Sequence, residues 1–157
     1  MDDRDRQIHG ITQGLRIVFK GVQAHSKYVE KSCGLSSAKL WMLHEIAQTP
    51  GVKVSKLAAV LSIHLSTCSN MLGKLEEKNL VYRDRSKTDQ RTVHLYVTEE
   101  GRQFLSNAPK PAQGKLSNAL EHLSLAQLTE LENGLNALVQ ALHVSDNNAA
   151  LIPIPGE

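Results

Sequence analysis

The sequence predicts a mostly α-helical chain with one small β-hairpin, and three observations predict it. Apolar residues recur at three- and four-residue spacing through most of the 157 residues. Between residues 80 and 97 that period falls to two. Pro and Gly at positions 50–51 and 109–114 punctuate the helical stretches. The length is that of one domain, and no apolar run approaches the roughly 20 residues that cross a bilayer. The N-terminal stretch MDDRDRQIHG opens with acids and lacks the apolar stretch of a secretory signal. A cytoplasmic chain is therefore expected, with its two cysteines as thiols.

Residues 1–34 read as an N-terminal helix, because Ile8, Ile11, Leu15, Val18, Val22 and Val29 recur at spacings of three, four or seven. At the other end Ser124 and Gln127 form a capping box, and Leu128, Leu131, Leu135, Leu138 and Leu142 follow as one stripe. The middle third is too small to cover both stripes. The ends are therefore expected to pack on each other and on a second subunit, as dimerisation helices. An intramolecular bundle is the alternative, since periodicity alone does not reveal oligomeric state.

Residues 35–98 form the middle unit. Leu35 and Ser36 introduce a helix with Leu40, Leu43, Ile46 and Ala47 inward, and Pro50-Gly51 closes it. Leu57, Ala58 and Leu61 mark a short helix from Val54, Ser62-Ile63 breaks it, and another helix runs from about Leu65 to Lys78. Two helices joined by a turn of about three or four residues have helix-turn-helix spacing. Leu80 to Arg83 is then strand-like, RDRSKTDQR is a charged loop, and Val93, Leu95 and Val97 alternate with His94 and Tyr96. This is a hairpin with a basic tip, so the unit reads as a winged helix-turn-helix. Thr98 caps the next helix, with Glu99 and Glu100 at its positive end. Residues 99–145 are expected as kinked C-terminal helices, because Pro109, Pro111 and Gly114 interrupt the helix begun at Glu99. Residues 146–157, with two prolines and no helical period, are expected to be extended or disordered.

The net charge of +2 conceals a division along the chain. Residues 53–91 hold eight Lys and Arg against four Asp and Glu, a balance of +4 that leaves −2 elsewhere. Cations clustered in this way form a phosphate footprint. Aromatics at 4% argue against stacking platforms for single-stranded nucleic acid. On the second helix of the pair, Cys68, Leu72 and Leu75 share a core-facing stripe, so Ser66, Thr67, Ser69, Asn70 and Lys74 project outward. Hydroxyls and Lys suit phosphates, and Asn70 can make a bidentate contact with adenine in a major groove. Outward polar residues are also what any amphipathic helix carries. In the hairpin, Arg85, Lys87 and Arg91 crowd cations onto the tip, where a narrow minor groove attracts a guanidinium. Arg83, at the end of the first strand, is a further candidate phosphate contact.

From Leu35 to Gly101 the chain resembles the MarR family of bacterial transcription regulators. The resemblance rests on LSSAKLWMLHEI, VSKLAAVLSI, STCSNMLGKLEEKNLVYR, the D-x-R of Asp89-Gln90-Arg91, and VTEEG. It implies a double-stranded DNA-binding regulator, a repressor acting as a homodimer on a pseudo-palindromic operator. It assigns minor-groove insertion to Arg91, held by Asp89, and a small aromatic or phenolic effector to the crevice beside the dimer helices. His25, Trp41 and His44 are the candidate crevice residues. The APKP interruption resembles one found in a subset of members. Where many members open the helix with Ser-Pro, this chain has His64-Leu65, so the N-cap falls on Ser66 or on His64. Asn70 stands where many have Arg, and Asn79 where Gly is usual.

Other classes have less support in the residues. Some members sense peroxides through a Cys near the start of the first helix. Cys33 is expected after that helix and Cys68 in the core, so a thiol-based redox sensor remains an alternative with Cys33 as its candidate. The seven His show no ligand pair on one helix face, and Leu40-Trp41 replaces the acid-His pair of zinc-responsive relatives, so no metal or other cofactor is expected. No Gly-rich phosphate loop or G-x-S-x-G motif marks an enzyme. A winged-helix protein-interaction module is a further alternative, which would tolerate loss of Arg91.

Overall fold

The computed structural model describes residues 1–85, 91–142 and 147–154. Helix α1 (Asp3–Cys33) starts at Asp2, whose carboxylate accepts from the Asp5 amide at 2.7 Å, and ends at Gly34, which adopts φ 78°. Only its last third packs inward, through His25, Ser26 and Val29 against α2 and α6. Helix α2 (Ser37–Gln48) is capped by Ser36 and touches α1, α3, α4, α5 and β3. Leu40, Leu43 and Ile46 face inward as the sequence predicts, and Met42 and Ser37 are buried as well. The helix is thus covered on more than one side, which a single-stripe reading does not anticipate.

Helices α3 (Val54–Leu61) and α4 (Leu65–Glu77) are the expected pair. Leu57, Ala58, Leu61, Ile63, Cys68, Leu72 and Leu75 bring them together in one buried cluster. The chain turns between them on Ser62, which takes the left-handed conformation at φ 54°. Strands β2 (Val81–Arg85) and β3 (Val93–Val97) form the hairpin, with Val81 opposite Val97 and Arg85 opposite Val93. A third strand, β1 (Val52–Lys53), pairs antiparallel with β3, giving the order β1-β3-β2. Two residues are too short to show a period of two, so the sequence leaves this strand unannounced. The hairpin tip, including the candidates Lys87 and Asp89, lies outside the described residues.

The exit from α4 is tied to the entry of α5 (Glu99–Asn107). Asn79 occupies the left-handed region at φ 57°, as its place after the helix suggests. The Thr98 hydroxyl donates to the Asn79 carbonyl at 2.7 Å and accepts from the Gly101 amide at 2.9 Å. The chain breaks after α5, as Pro109, Pro111 and Gly114 predict, and resumes in α6 (Lys115–Glu121) and α7 (Leu125–Ala141). Ser124 and Gln127 form both bonds of the capping box. The tail departs from expectation: Asn147–Leu151 is a 3-10 helix whose Leu151 carbonyl accepts from the His64 amide at 3.1 Å. Leu151, Ile152 and Ile154 remain exposed there, so the contact is made by backbone more than by apolar burial.

Among the described residues no helix is long and apolar enough to cross a membrane. The first two-thirds of α1 and the whole of α7 bury nothing within the chain. Ile11 is 59% exposed, and Leu15 and Leu135 are 45% and 43% exposed.

Gly101 shows how tightly the middle unit closes. A Cβ there would sit 2.2 Å from the Leu80 carbonyl oxygen and 2.5 Å from Val97 Cγ1, and backbone cannot yield as a side chain tip does. Gly101→Ala is expected to lower stability by about 1–3 kcal/mol, read as a lower urea midpoint with unchanged m.

Candidate nucleic-acid interface

The outward side of α4 is set by what its other side buries. With Cys68, Leu72 and Leu75 in the core, Ser66, Asn70 and Lys74 are exposed and Thr67 and Ser69 are half-buried. His64 is the N-cap residue, the second of the two alternatives the sequence leaves open, yet its ring makes no capping bond. The side chains of Lys74 and Glu77 approach to 3.7 Å, a solvent-exposed pair that does little to hold Lys74. Asn70 and Lys74 therefore stay available on a rigid element.

The wing is braced against this helix by contacts without a local sequence signature. Arg83 Nε donates to Glu76 Oε1 at 2.5 Å, joining β2 to the last turn of α4, and both side chains are half-buried. Arg83 is thus engaged by a carboxylate rather than presented outward, and the structure gives it a positioning contact. Tyr82 and Tyr96 stack with ring centroids 5.4 Å apart. His94 Nδ1 donates to the Gly51 carbonyl at 2.9 Å, which anchors β3 to the turn before β1. Asp84, Arg85 and Arg91 are exposed around the tip. Glu76, Tyr82, His94 and Tyr96 are the supports that sequence reading missed. The seven-residue separation of Glu76 and Arg83 crosses a helix-to-strand junction, where neither period applies.

A cavity lies where α1, α2 and the start of α6 meet. Val22, His25, Trp41, Gln113, Lys115 and Ser117 are among its walls. His25 is buried, and its Nε2 has no hydrogen-bond partner. Burial pushes the His25 pKa below its ordinary value of 6.5, the nearby Lys115 charge pushes it the same way, and the Pro111 carbonyl opposes both. Trp41 is half-buried and donates from Nε1 to Glu45 at 3.0 Å. His44, also half-buried on α2, is not among the residues lining this cavity. The structure thus brings two of the three crevice candidates together.

Comparison with known proteins fits this geometry. The MarR family model matches residues 35–93, from just before α2 to the first residue of β3. MdtR, an HTH-type transcriptional repressor of Bacillus subtilis, is 28% identical over 101 residues, covering 64% of this chain and 65% of that protein. A putative transcriptional regulatory protein for the hcr operon of Thauera aromatica is 30% identical over 115 residues, covering 73% of this chain and 66% of its own. The chain belongs to the MarR family. Its matches thus span slightly less than two thirds of the length of these two relatives. The MarR-type fold extends beyond the matched segment. The solved structure of FabT from Streptococcus pneumoniae in complex with DNA aligns with a TM-score of 0.56 and 24% identity, over 87% of this chain and 97% of FabT.

Within the MarR family framework, the two cysteines sit in different settings. Cys33 is the last residue of α1 rather than a residue beyond it, and its half-buried thiol donates to the Val29 carbonyl at 3.2 Å. Cys68 is fully buried, and desolvation raises its pKa to about 11 against a smaller opposing effect of Arg83. A thiol held protonated in the core is a poor nucleophile. Titration with an aromatic disulfide reagent is expected to modify Cys33 first, and Cys68 only after unfolding.

His25 makes stability depend on pH. The unfolded chain takes up a proton near pH 6.5, and the buried ring resists doing so. Between that pH and the lower folded value, the unfolded state holds more protons, so stability falls as pH falls. Above pH 6.5 this loss is absent. Urea midpoints at about pH 7.5 and 5.5 are expected to differ more for the native chain than for His25→Gln, which cannot titrate.

Proposed function

We propose that this chain is a sequence-specific, double-stranded DNA-binding transcription regulator: a ligand-responsive repressor that acts as a homodimer on a pseudo-palindromic operator. The observation that carries the reading is the polar outward face of α4, standing on a fully buried stripe and braced to a basic hairpin through Glu76 and Arg83. In this reading α4 lies in a major groove. Ser66, Thr67, Ser69 and Lys74 serve phosphates, and Asn70 reads a base edge. Arg85, Lys87 and Arg91 follow the hairpin into the adjoining minor groove, with Asp89 holding Arg91. The repressor name of MdtR and the DNA-bound state of FabT support the assignment by likeness.

Homodimerisation is supported by the uncovered apolar stripes of α1 and α7. Residues 1–34 and 99–145 then form the dimer body, with the winged unit of residues 35–98 projecting from it. A two-fold axis places two copies of α4 about one helical turn, roughly 10 bp, apart. The family resemblance puts a small aromatic or phenolic effector beside the dimer helices, in the neighbourhood of His25 and Trp41. Such a ligand acts by preferring the dimer that does not fit the operator. As a regulator of this kind the protein works in the cytoplasm.

The test is a mobility shift on the DNA upstream of the chain's own gene, repeated across salt concentrations. Affinity is expected to fall steeply with salt as phosphate contacts release counterions. Arg91→Ala is expected to weaken binding by more than about ten-fold, roughly 1.4 kcal/mol, with the dimer mass unchanged in light scattering. Asn70→Ala is expected to relax preference at one position per half-site by about 1–3 kcal/mol. Unchanged affinity in Arg91→Ala would remove the wing from the reading, and a monomer in light scattering would remove the two-fold operator.

A further inference from the structure

The segment Ala149-Ala150-Leu151-Ile152-Pro153-Ile154 is apolar throughout and follows the polar stretch Ser145–Asn148. Such a segment gains by covering other apolar surface. Two observations place it against one partner. The Leu151 carbonyl accepts from the amide of His64, the residue that opens α4. Ile152, Pro153 and Ile154 also form one wall of an open crevice of about 600 Å³, whose other walls include Trp41, Leu61, Ile63, Met71, Leu135 and Val139. One wall of that crevice is thus the helix-turn-helix, another is α7, and the tail runs between them.

This path matters because α7 has no buried residue of its own to join it to the winged unit. The break at residues 108–114 is anchored in the core by Ala108 and Ala112, and beyond it neither α6 nor α7 has a buried residue, so the freedom between the winged unit and α7 lies in those two helices. We propose that residues 149–154 form a positioning strap that holds the entrance of α4 at a fixed distance from α7. The inference rests on the reading of α4 as the DNA-contacting helix. In the homodimer both copies of α7 belong to the dimer body, so two docked straps set the separation of the two α4 helices. A strap whose apolar residues stay half-exposed, Leu151 and Ile154 at 37% and 42%, releases more easily than a core element. Release gives each winged unit orientational freedom that must be lost again on the operator, and that loss weakens binding.

The core does not depend on the strap. Among the described residues every buried apolar one lies between Val29 and Ala112, so disrupting the tail leaves that cluster intact. The chain also contains a single Trp, and it stands in the crevice wall. The test compares the native chain with the double variant Ile152→Asp, Ile154→Asp and with a chain stopped after Leu142. Trp41 emission is expected to shift to the red, and its quenching by acrylamide to rise about two-fold, as its apolar cover leaves. Hydrogen exchange at the His64 amide is expected to accelerate about ten-fold or more. Operator affinity is expected to fall roughly five-fold, while urea midpoint and dimer mass stay unchanged.

Unaltered Trp41 emission and His64 exchange in both variants would show that the strap is not docked, and would overturn the proposal. Altered emission and exchange with unaltered operator affinity would overturn the positioning role. Loss of dimer mass would assign the tail to the subunit contact instead. Failure of the native chain to bind any operator would overturn the functional reading and the positioning role with it. The Trp41 and His64 measurements decide docking independently of DNA.

Discussion

Helix α2 is the element on which the other parts of this fold depend. Leu40, Met42, Leu43 and Ile46 are all completely buried, and they face α1, α3, α4, α5 and β3 around one short helix. Each of those elements is amphipathic and needs a surface to cover its apolar side, and α2 is the surface they share. The consequence is a division of roles along the chain. Elements that reach α2 are fixed in one unit, whereas the first two-thirds of α1 and all of α7 lie beyond it and keep their apolar stripes outward. The same short chain therefore carries one closed core and two open faces. Open apolar faces of this extent are where a second subunit is energetically favoured.

The buried side of α4 explains why its other side is free to carry chemistry. Cys68, Leu72 and Leu75 contribute apolar burial that anchors the helix without using any exposed residue. The base of the wing is anchored in the same way, through Val81, Leu95 and Val97 in the buried cluster. Polar and aromatic contacts add to this hold: Arg83 to Glu76, His94 to the Gly51 carbonyl, Tyr82 against Tyr96, and β1 as a third strand. Arg83 illustrates the polar part. A guanidinium whose Nε is committed to a half-buried carboxylate braces helix against hairpin, while the donors on its terminal nitrogens are not used by that bond. Of the +4 carried by residues 53–91, part thus serves geometry.

Local patterns in the sequence reached as far as periodicity and turn chemistry reach. The capping box at Ser124 and Gln127, the core stripe Cys68-Leu72-Leu75, the break at Pro109 to Gly114 and the left-handed Asn79 are each determined by residues within a few positions of one another, and each appears in the structure. What escaped was non-local or too short. Strand β1 has two residues and exists because β3 offers it an edge. The Glu76 to Arg83 pair crosses from helix to strand. The tail makes a turn of 3-10 helix where it meets His64, more than 80 positions earlier in the chain, beside a crevice whose walls come from several separate elements. Of the crevice candidates, His25 and Trp41 converge because α1 and α2 cross there. Helical spacing on α2 alone did not distinguish His44, three residues on from Trp41, as the one that lies outside.

His25 and Cys68 illustrate two ways a titratable group is accommodated in such an interior. Cys68 keeps its proton, so burial costs it little, and it packs as a small apolar residue against α3. His25 also stays neutral, but an imidazole retains a polar nitrogen in either tautomer, and its Nε2 finds no partner. Leaving that nitrogen unsatisfied carries a cost of about 1–3 kcal/mol, which a plain apolar residue at position 25 would avoid. The place where this cost falls is a cavity wall formed by helices from both sides of the α5–α6 break, with Lys115 nearby.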